Sequence, residues 1–431
     1  MFVRFIQVTG SKLLSSGFAF VFGVALARML GPEQYGLLAL SFGVTAVIAE
    51  VTGYGLETAL VRSATRFLQA GRRDRAAASC SFVFWVKLLV NSAFLVVGTA
   101  AAAPVAARLG NPAYALPIQM GLAAGLGLSM WRLSLAILQA LERFGAYAVV
   151  QTSSNAIKLA ALAGLVLLGR LTLGSALLVH VASFFAGCLL GLWRCPRDLL
   201  RFTPFHEPGI WRPILHFSKW IVPASLFAIS NTWLGVLVLS FFTQPRAVGE
   251  FAAAQTVIGA FDILSVSLCT ILLPAAFRIS DRTSGIAFVK RGLSASGCLS
   301  LALLPLYVIA PGLFAALYSA AFERAAEVFR VLFWGFLVTL NVEPLVLVLY
   351  ARNRTLIVAG LEFSKLQTAL IASLLLVPVF SLTGAAIALV LGRLVGGVLG
   401  LGAVYAVLRA RPDAEASGAW ASPGARPGET L

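Results

Sequence analysis

Stretches of about 20 mostly apolar residues, the length a helix needs to cross a hydrocarbon layer, recur along this chain from near residue 8 to near residue 408. Inside a bilayer every backbone N–H and C=O must find its partner within the protein, so a spanning segment is either a helix or a strand of a closed barrel. These runs are too long and too uniformly apolar for the alternating segments of about ten residues that build barrels. An all-α polytopic membrane protein is therefore expected. The charge content agrees: 12% of residues are charged and the mean hydropathy is +0.91, whereas a soluble chain carries roughly 25% charge.

Twelve spans are expected, near 8–30, 35–56, 80–107, 113–138, 144–168 and 171–192 in the first half. In the second half they fall near 217–242, 248–275, 292–318, 326–350, 355–380 and 382–408. A net charge of +16 would point to nucleic acid in a soluble protein, but here the cations fall in alternate connections, and no nucleic-acid partner is expected. One set of loops collects Arg62, Arg66, Arg72, Arg73, Arg75, Arg143, Arg194, Arg197, Arg201, Arg212, Lys219, Arg278, Arg282, Lys290, Arg291, Arg352 and Arg354, and the other holds Arg108, Arg170, Arg246 and Arg324. The positive-inside rule makes the first set cytoplasmic, together with both termini. Met1 to Gln7 lacks a small-residue cleavage site and reads as retained.

The most polar stretch, Trp193 to Trp220, lies near the midpoint. It divides the chain into a first six-helix lobe (1–192), a cytoplasmic linker (193–216), a second six-helix lobe (217–408) and a disordered Pro/Gly/Ala/Ser-rich tail (409–431). The halves echo one another. Pro32-x-x-x-Gly36 in GPEQYGLLAL matches Pro245-x-x-x-Gly249 in QPRAVGEFAA, each in the first outer loop of its half and each followed by a span and then arginines. Six helices separate the copies, so both have one orientation: a parallel pseudo-repeat about an axis normal to the membrane.

An ionisable side chain at bilayer depth needs a partner, a wet cavity or an escape to the interface. Eight cations lie inside the spans: Lys12, Arg28, Lys87, Arg132, Lys158, Arg330, Lys365 and Arg393. Lys12, Arg28 and Arg330 are near span ends, where long side chains can snorkel. The acids inside the spans are Glu50, Asp262, Glu343 and Glu362. Glu362 and Lys365 are three apart and can neutralise each other on one helix face. Asp262 has no charged neighbour on its own helix; it is either a counter-ion for Lys365 or Arg393, or a site for a coupling proton or sodium ion. In the first lobe Lys87, Arg132 and Lys158 outnumber Glu50, so the excess is positive. A cavity lined by such cations would attract a phosphate or pyrophosphate. The glycines of GLAAGLGLS and GRLVGGVLGLG are read as close helix packing, with sliding between two transport states as the alternative.

No GxxxxGK[ST] loop, HExxH, GxSxG or paired-Asp motif is present, and the outer loops are too short for the acid/base residues of a membrane glycosyltransferase, polymerase or ligase. No catalytic residue, cofactor or metal is expected. Cys80, Cys188, Cys195, Cys269 and Cys298 are scattered packing residues, and His180, His206 and His216 are unclustered.

The segment ALARMLGPEQYGLLALSFGVTAVIAEVTGYGLETALVR, Ala25 to Arg62, resembles the opening of bacterial polysaccharide-biosynthesis flippases of the multidrug/oligosaccharidyl-lipid/polysaccharide (MOP) exporter superfamily. AVGEFAAAQTV and TILLPAAFRIS look like the same family's second-half motifs, with Phe251 where tyrosine is common. The resemblance spans the whole length in topology and about a fifth of it in motifs. It implies two six-helix lobes, alternating access, location in the bacterial inner membrane and an undecaprenyl-pyrophosphate-linked oligosaccharide as substrate for surface polysaccharide synthesis. A polymerase and glycosyltransferases would be its protein partners. Arg28 and Arg62 match the first motif and take from it a head-group role. With Lys87, Arg132, Lys158, Lys365 and Arg393 they make up the expected cationic cavity, and Glu50, Asp262 and Glu362 are the expected coupling or counter-ion sites. Asn231 stands where many relatives place an Asp, which weakens any coupling through that position. The alternatives are a drug or cation exporter of the superfamily, expected to have a more acidic cavity, and a sugar polymerase or ligase.

Overall fold

The structure, a computed structural model, describes residues 2–53, 55–200, 208–279, 282–352 and 354–409. Among the described residues there is no strand. The helices are α1 (Phe2–Gly53), α2 (Leu56–Gln69), α3 (Arg73–Arg108), α4 (Ala115–Ala140), α5 (Phe144–Leu167) and α6 (Leu173–Arg194), then α7 (Pro208–Phe242), α8 (Pro245–Ala276), α9 (Arg282–Leu303), α10 (Pro305–Leu317), α11 (Glu323–Ala351) and α12 (Thr355–Arg409).

Ten helices among the described residues are long and apolar enough to cross a membrane, against twelve expected spans. The difference lies in α1 and α12, each of which contains one residue outside helical geometry, Gly31 (φ 78°) and Ser381 (φ 51°). A straight helix of the 55 residues in α12 would reach roughly 80 Å, far beyond the ~30 Å of hydrocarbon in a bilayer. Both breaks fall where the hydropathy pattern separates two spans, and the chain on either side of each is long enough for its own crossing. Gly31 adopts its left-handed φ without a Cβ penalty, and Pro32 starts the next helical run because its missing N–H costs nothing there.

Three expectations are corrected. The connection after α1 is a helix, α2, with Leu56, Ala59, Leu60 and Ala64 buried and Arg62 and Arg66 exposed. The ninth span is not one helix: α9 starts at Arg282, takes Lys290 and Arg291 into helix, and gives way at Pro305 to α10. Helix α7 begins at Pro208, so Trp211 to His216 are helical within the expected linker. Residues 201–207, with His206, and 410–431 of the expected tail lie outside the described residues.

Helices α1–α6 pack on one another, as do α7–α12, and the two bundles meet along α1 with α8, α1 with α7, and α2 with α7. The arginine-rich ends of the helices define a basic end of the molecule. At the opposite end both bundles contribute to a single apolar core, in which Leu26, Tyr35 and Leu38 of α1 join Val248, Phe251, Phe314 and Phe329. Toward the basic end this core divides. Leu56, Val83, Leu133 and Val150 belong to a cluster built mainly by the first bundle, which Ile214 at the start of α7 joins, and Phe288, Leu345, Val348 and Leu361 to a separate one in the second. Large apolar side chains such as Val96, Leu189, Leu301 and Val398 face outward, the pattern of a protein whose solvent is lipid.

Candidate functional site

At the end opposite the basic one, the two copies of the Pro-x-x-x-Gly motif abut. A Cβ on Gly36 would lie 2.8 Å from the Gly249 nitrogen, and one on Gly249 would lie 2.9 Å from the Gly36 nitrogen; each would also strike the carbonyl of the opposite motif's proline. Only hydrogen in place of a side chain permits this approach. Around the crossing Tyr35 Oη hydrogen-bonds Thr256 Oγ1 at 3.0 Å, Tyr114 Oη donates to the Thr243 carbonyl at 3.2 Å, and Arg28 Nη1 donates to the Ala316 carbonyl at 3.3 Å. Arg28 thus ties α1 to α10 at this seal.

In the first bundle the charges form a network. The Lys87 side chain, fully buried, pairs with Glu57, and Arg132 Nη1 donates to Glu50 Oε2 at 2.8 Å. Glu50 and Arg132 also act electrostatically on Lys87. Asn91, one turn beyond Lys87, donates to the Lys87 carbonyl (2.7 Å) and Ser129 Oγ (3.1 Å) and accepts from Thr52 (2.9 Å), fixing α1, α3 and α4 together. The expected positive excess is therefore corrected for Lys87 and Arg132, because both have carboxylate partners. Sequence reasoning missed Glu57. The signal for it was Gly55, whose positive φ of 63° turns the chain into α2 and carries Glu57 back against α3.

Lys158 differs from them. It is 6% exposed and has no ion pair among the described residues; its Nζ lies 3.9 Å from the Phe184 ring centroid. Beside it His180 shares a 3.1 Å hydrogen bond from Nε2 with Thr45 Oγ1, while its Nδ1 and the hydroxyls of Ser41 and Ser154 are buried without partners. His180, unclustered in the sequence, thus contributes to a polar pocket between α1, α5 and α6.

In the second bundle a cavity of about 660 Å³ is lined by Asn231, Asp262, Glu343, Glu362, Lys365 and Arg393 among others. Lys365 Nζ donates to Glu362 at 2.7 Å and reaches Glu343 at 3.5 Å. The pairing of Glu362 with Lys365 was legible from their spacing, and Glu343 joins it from α11. Arg393 acts electrostatically on Asp262, and its Nη1 is buried without a partner. Three carboxylates here face two cations, so this cavity is not the positive one expected. Asn231 Nδ2 donates to the Glu362 carbonyl at 3.2 Å. The seven cations expected around one cavity occupy separate places: Arg28 at the seal, Lys87 and Arg132 in ion pairs, Lys158 over the Phe184 ring, Lys365 and Arg393 in the second bundle, and Arg62 exposed on α2.

This two-bundle architecture has known counterparts. The chain is similar over 91% of its length to an inward-facing multidrug resistance MATE family transporter of the MOP superfamily, covering 94% of that chain at 14% identity with a TM-score of 0.73. It is similar over 94% of its length to the lipid II flippase MurJ in an inward closed conformation, covering 88% of that chain at 13% identity with a TM-score of 0.70. At such identities the likeness establishes the fold. In sequence it is 29% identical over 208 residues to the probable flippase AglR of Haloferax volcanii, an alignment covering 45% of this chain and 42% of that protein. The match thus spans under half the length of that relative. A family model described as polysaccharide biosynthesis protein matches residues 4–280, and the chain belongs to that family, built on the fold of the MOP superfamily transporters.

Proposed function

We propose that this protein is a flippase that carries an undecaprenyl-pyrophosphate-linked oligosaccharide across the bacterial inner membrane by alternating access, for synthesis of a cell-surface polysaccharide. The observation that carries this reading is the division of the apolar core: one shared core joins the bundles at the Gly36–Gly249 end, whereas toward the basic end each bundle has its own apolar cluster, bridged by the start of α7, which packs on the first bundle's cluster. Two rigid bundles hinged this way can expose a site between them to one side at a time. The division is into lobes 1–192 and 217–408, with the basic end and both termini cytoplasmic. Family membership and the likeness to two named flippases support the substrate class, and the absence of acid/base loops favours transport over a covalent reaction. Lys158 is the first-lobe cation best placed to attract a phosphorylated head group, because it is buried and no carboxylate pairs with it among the described residues.

The test is translocation of a fluorescent lipid-pyrophosphate oligosaccharide in proteoliposomes. The native protein moves the lipid, and Lys158→Ala inserts normally but transports at least tenfold more slowly. Transport undiminished in the variant removes Lys158 from the site; no transport by the native protein overturns the flippase reading.

The second-bundle cavity, with Asp262, Glu343 and Glu362 against Lys365 and Arg393, favours a second reading as a cation exporter. Uptake of ethidium driven by a proton or sodium gradient in the same proteoliposomes would select it.

A further inference from the structure

Between α2 of the first bundle and the start of α7 of the second lies a cleft of about 970 Å³. Its α2 wall is a single helix face, Ala59, Ser63, Phe67 and Ala70 alternating with Arg62 and Arg66 at the three- and four-residue spacing that puts side chains on one side. Trp211, Ile214 and Leu215 form the facing wall, and Trp211 packs with the first bundle's apolar cluster although it belongs to α7. Arg72, held where the chain turns after α2 by its N–H donating to the Phe67 carbonyl at 2.8 Å, and Arg212 complete the basic rim beside His216. Arg62, Arg66, Arg72 and Arg212 are all exposed. No carboxylate lines the cleft among the described residues.

We propose that this cleft is a docking site for the diphosphate and first isoprene units of a long-chain polyprenyl diphosphate, formed jointly by the two bundles where the lipid enters. The proposal rests on the transport reading. An apolar floor under a guanidinium rim fits a lipid whose chain lies against protein and whose head carries concentrated negative charge. Guanidinium groups bind phosphate oxygens in pairs, and Trp211 suits a site that is apolar on one side and wet on the other. Charge complementarity selects the diphosphate. Four arginines would be in excess for the single charge of a phosphodiester phospholipid, whereas two adjoining phosphates present several oxygens to several guanidiniums. Because one wall belongs to each bundle, occupancy would also sense their separation.

Full-length protein in phosphatidylcholine nanodiscs is titrated with undecaprenyl diphosphate, with phosphatidylglycerol and with inorganic pyrophosphate, and binding is read by native mass spectrometry. Undecaprenyl diphosphate is retained at least tenfold more tightly than either of the others. Arg66→Gln/Arg212→Gln weakens its binding tenfold or more, and Arg66→Lys/Arg212→Lys weakens it less. Should the double variant fail to insert, Arg72→Gln alone decides, with about threefold weaker binding expected. Unchanged retention in an inserted variant, or phosphatidylglycerol held as tightly as the diphosphate, overturns the proposal. Unchanged retention with intact translocation removes the cleft and leaves the flippase reading, whereas diphosphate binding in the cleft without translocation by the native protein removes that reading and leaves the cleft.

Discussion

Gly36 and Gly249 cross backbone to backbone, each occupying the space that a side chain on the other would need. The finding joins two sequence copies 213 residues apart into one contact and makes the pseudo-repeat a physical object: the point where the two bundles close. Gly36→Ala or Gly249→Ala would force the helices apart, since backbone carbonyls cannot yield as a flexible side chain can. Overpacking of this kind costs about 1–3 kcal/mol. A lowered melting temperature in detergent is expected, together with faster labelling of a cysteine placed at position 252. Gly312→Ala, which meets nothing within 4 Å, should behave as native. Native melting and labelling in the Gly36 and Gly249 variants would show that the crossing does not hold this end shut.

The pair of fully buried Lys87 with half-buried Glu57 gives a sharper test. Removing one partner leaves an uncompensated charge, a loss of about 3–5 kcal/mol, so Glu57→Gln should melt well below native. Lys87→Met/Glu57→Leu removes both charges and should recover most of that loss. Thermal denaturation of the three proteins checks this, and a double variant less stable than the single would contradict it.

Asp262 and Arg393 share the second-bundle cavity, and Arg393 Nη1 lacks a protein partner. If Asp262 serves as counter-ion, Asp262→Asn and Arg393→Gln should be non-additive, with a coupling energy of about 1 kcal/mol or more. Additive melting shifts, accompanied by loss of gradient-driven transport in Asp262→Asn alone, would instead identify Asp262 as an ion-coupling site.

Ser381 holds φ at 51° in the break of α12. A non-glycine residue there bears roughly 1–3 kcal/mol of strain, and Ser381→Gly should raise the melting temperature. Ser381→Val, with a branched Cβ, should lower it. A glycine variant less stable than native would mean that the Ser381 side chain outweighs its backbone cost.

Much of the architecture was legible in the amino-acid order. Apolar run lengths located the helices, and both breaks, Gly31 and Ser381, fell at expected span boundaries, because lipid leaves a chain no alternative to satisfying its own backbone. The spacing of Glu362 and Lys365 disclosed their pairing, since residues three apart on a helix are neighbours. What tertiary structure decided was which charges are neutralised across helices. Lys87 and Arg132 looked like part of a positive surplus until folding brought Glu57 and Glu50 to them, while Lys158 was placed over the Phe184 ring beside the His180 pocket, with no ion pair among the described residues. The walls of the basic cleft likewise come from α2 and α7, about 140 residues apart in sequence. Hydropathy acts along the chain and can be read from it, whereas charge pairing depends on distances between segments that only packing sets.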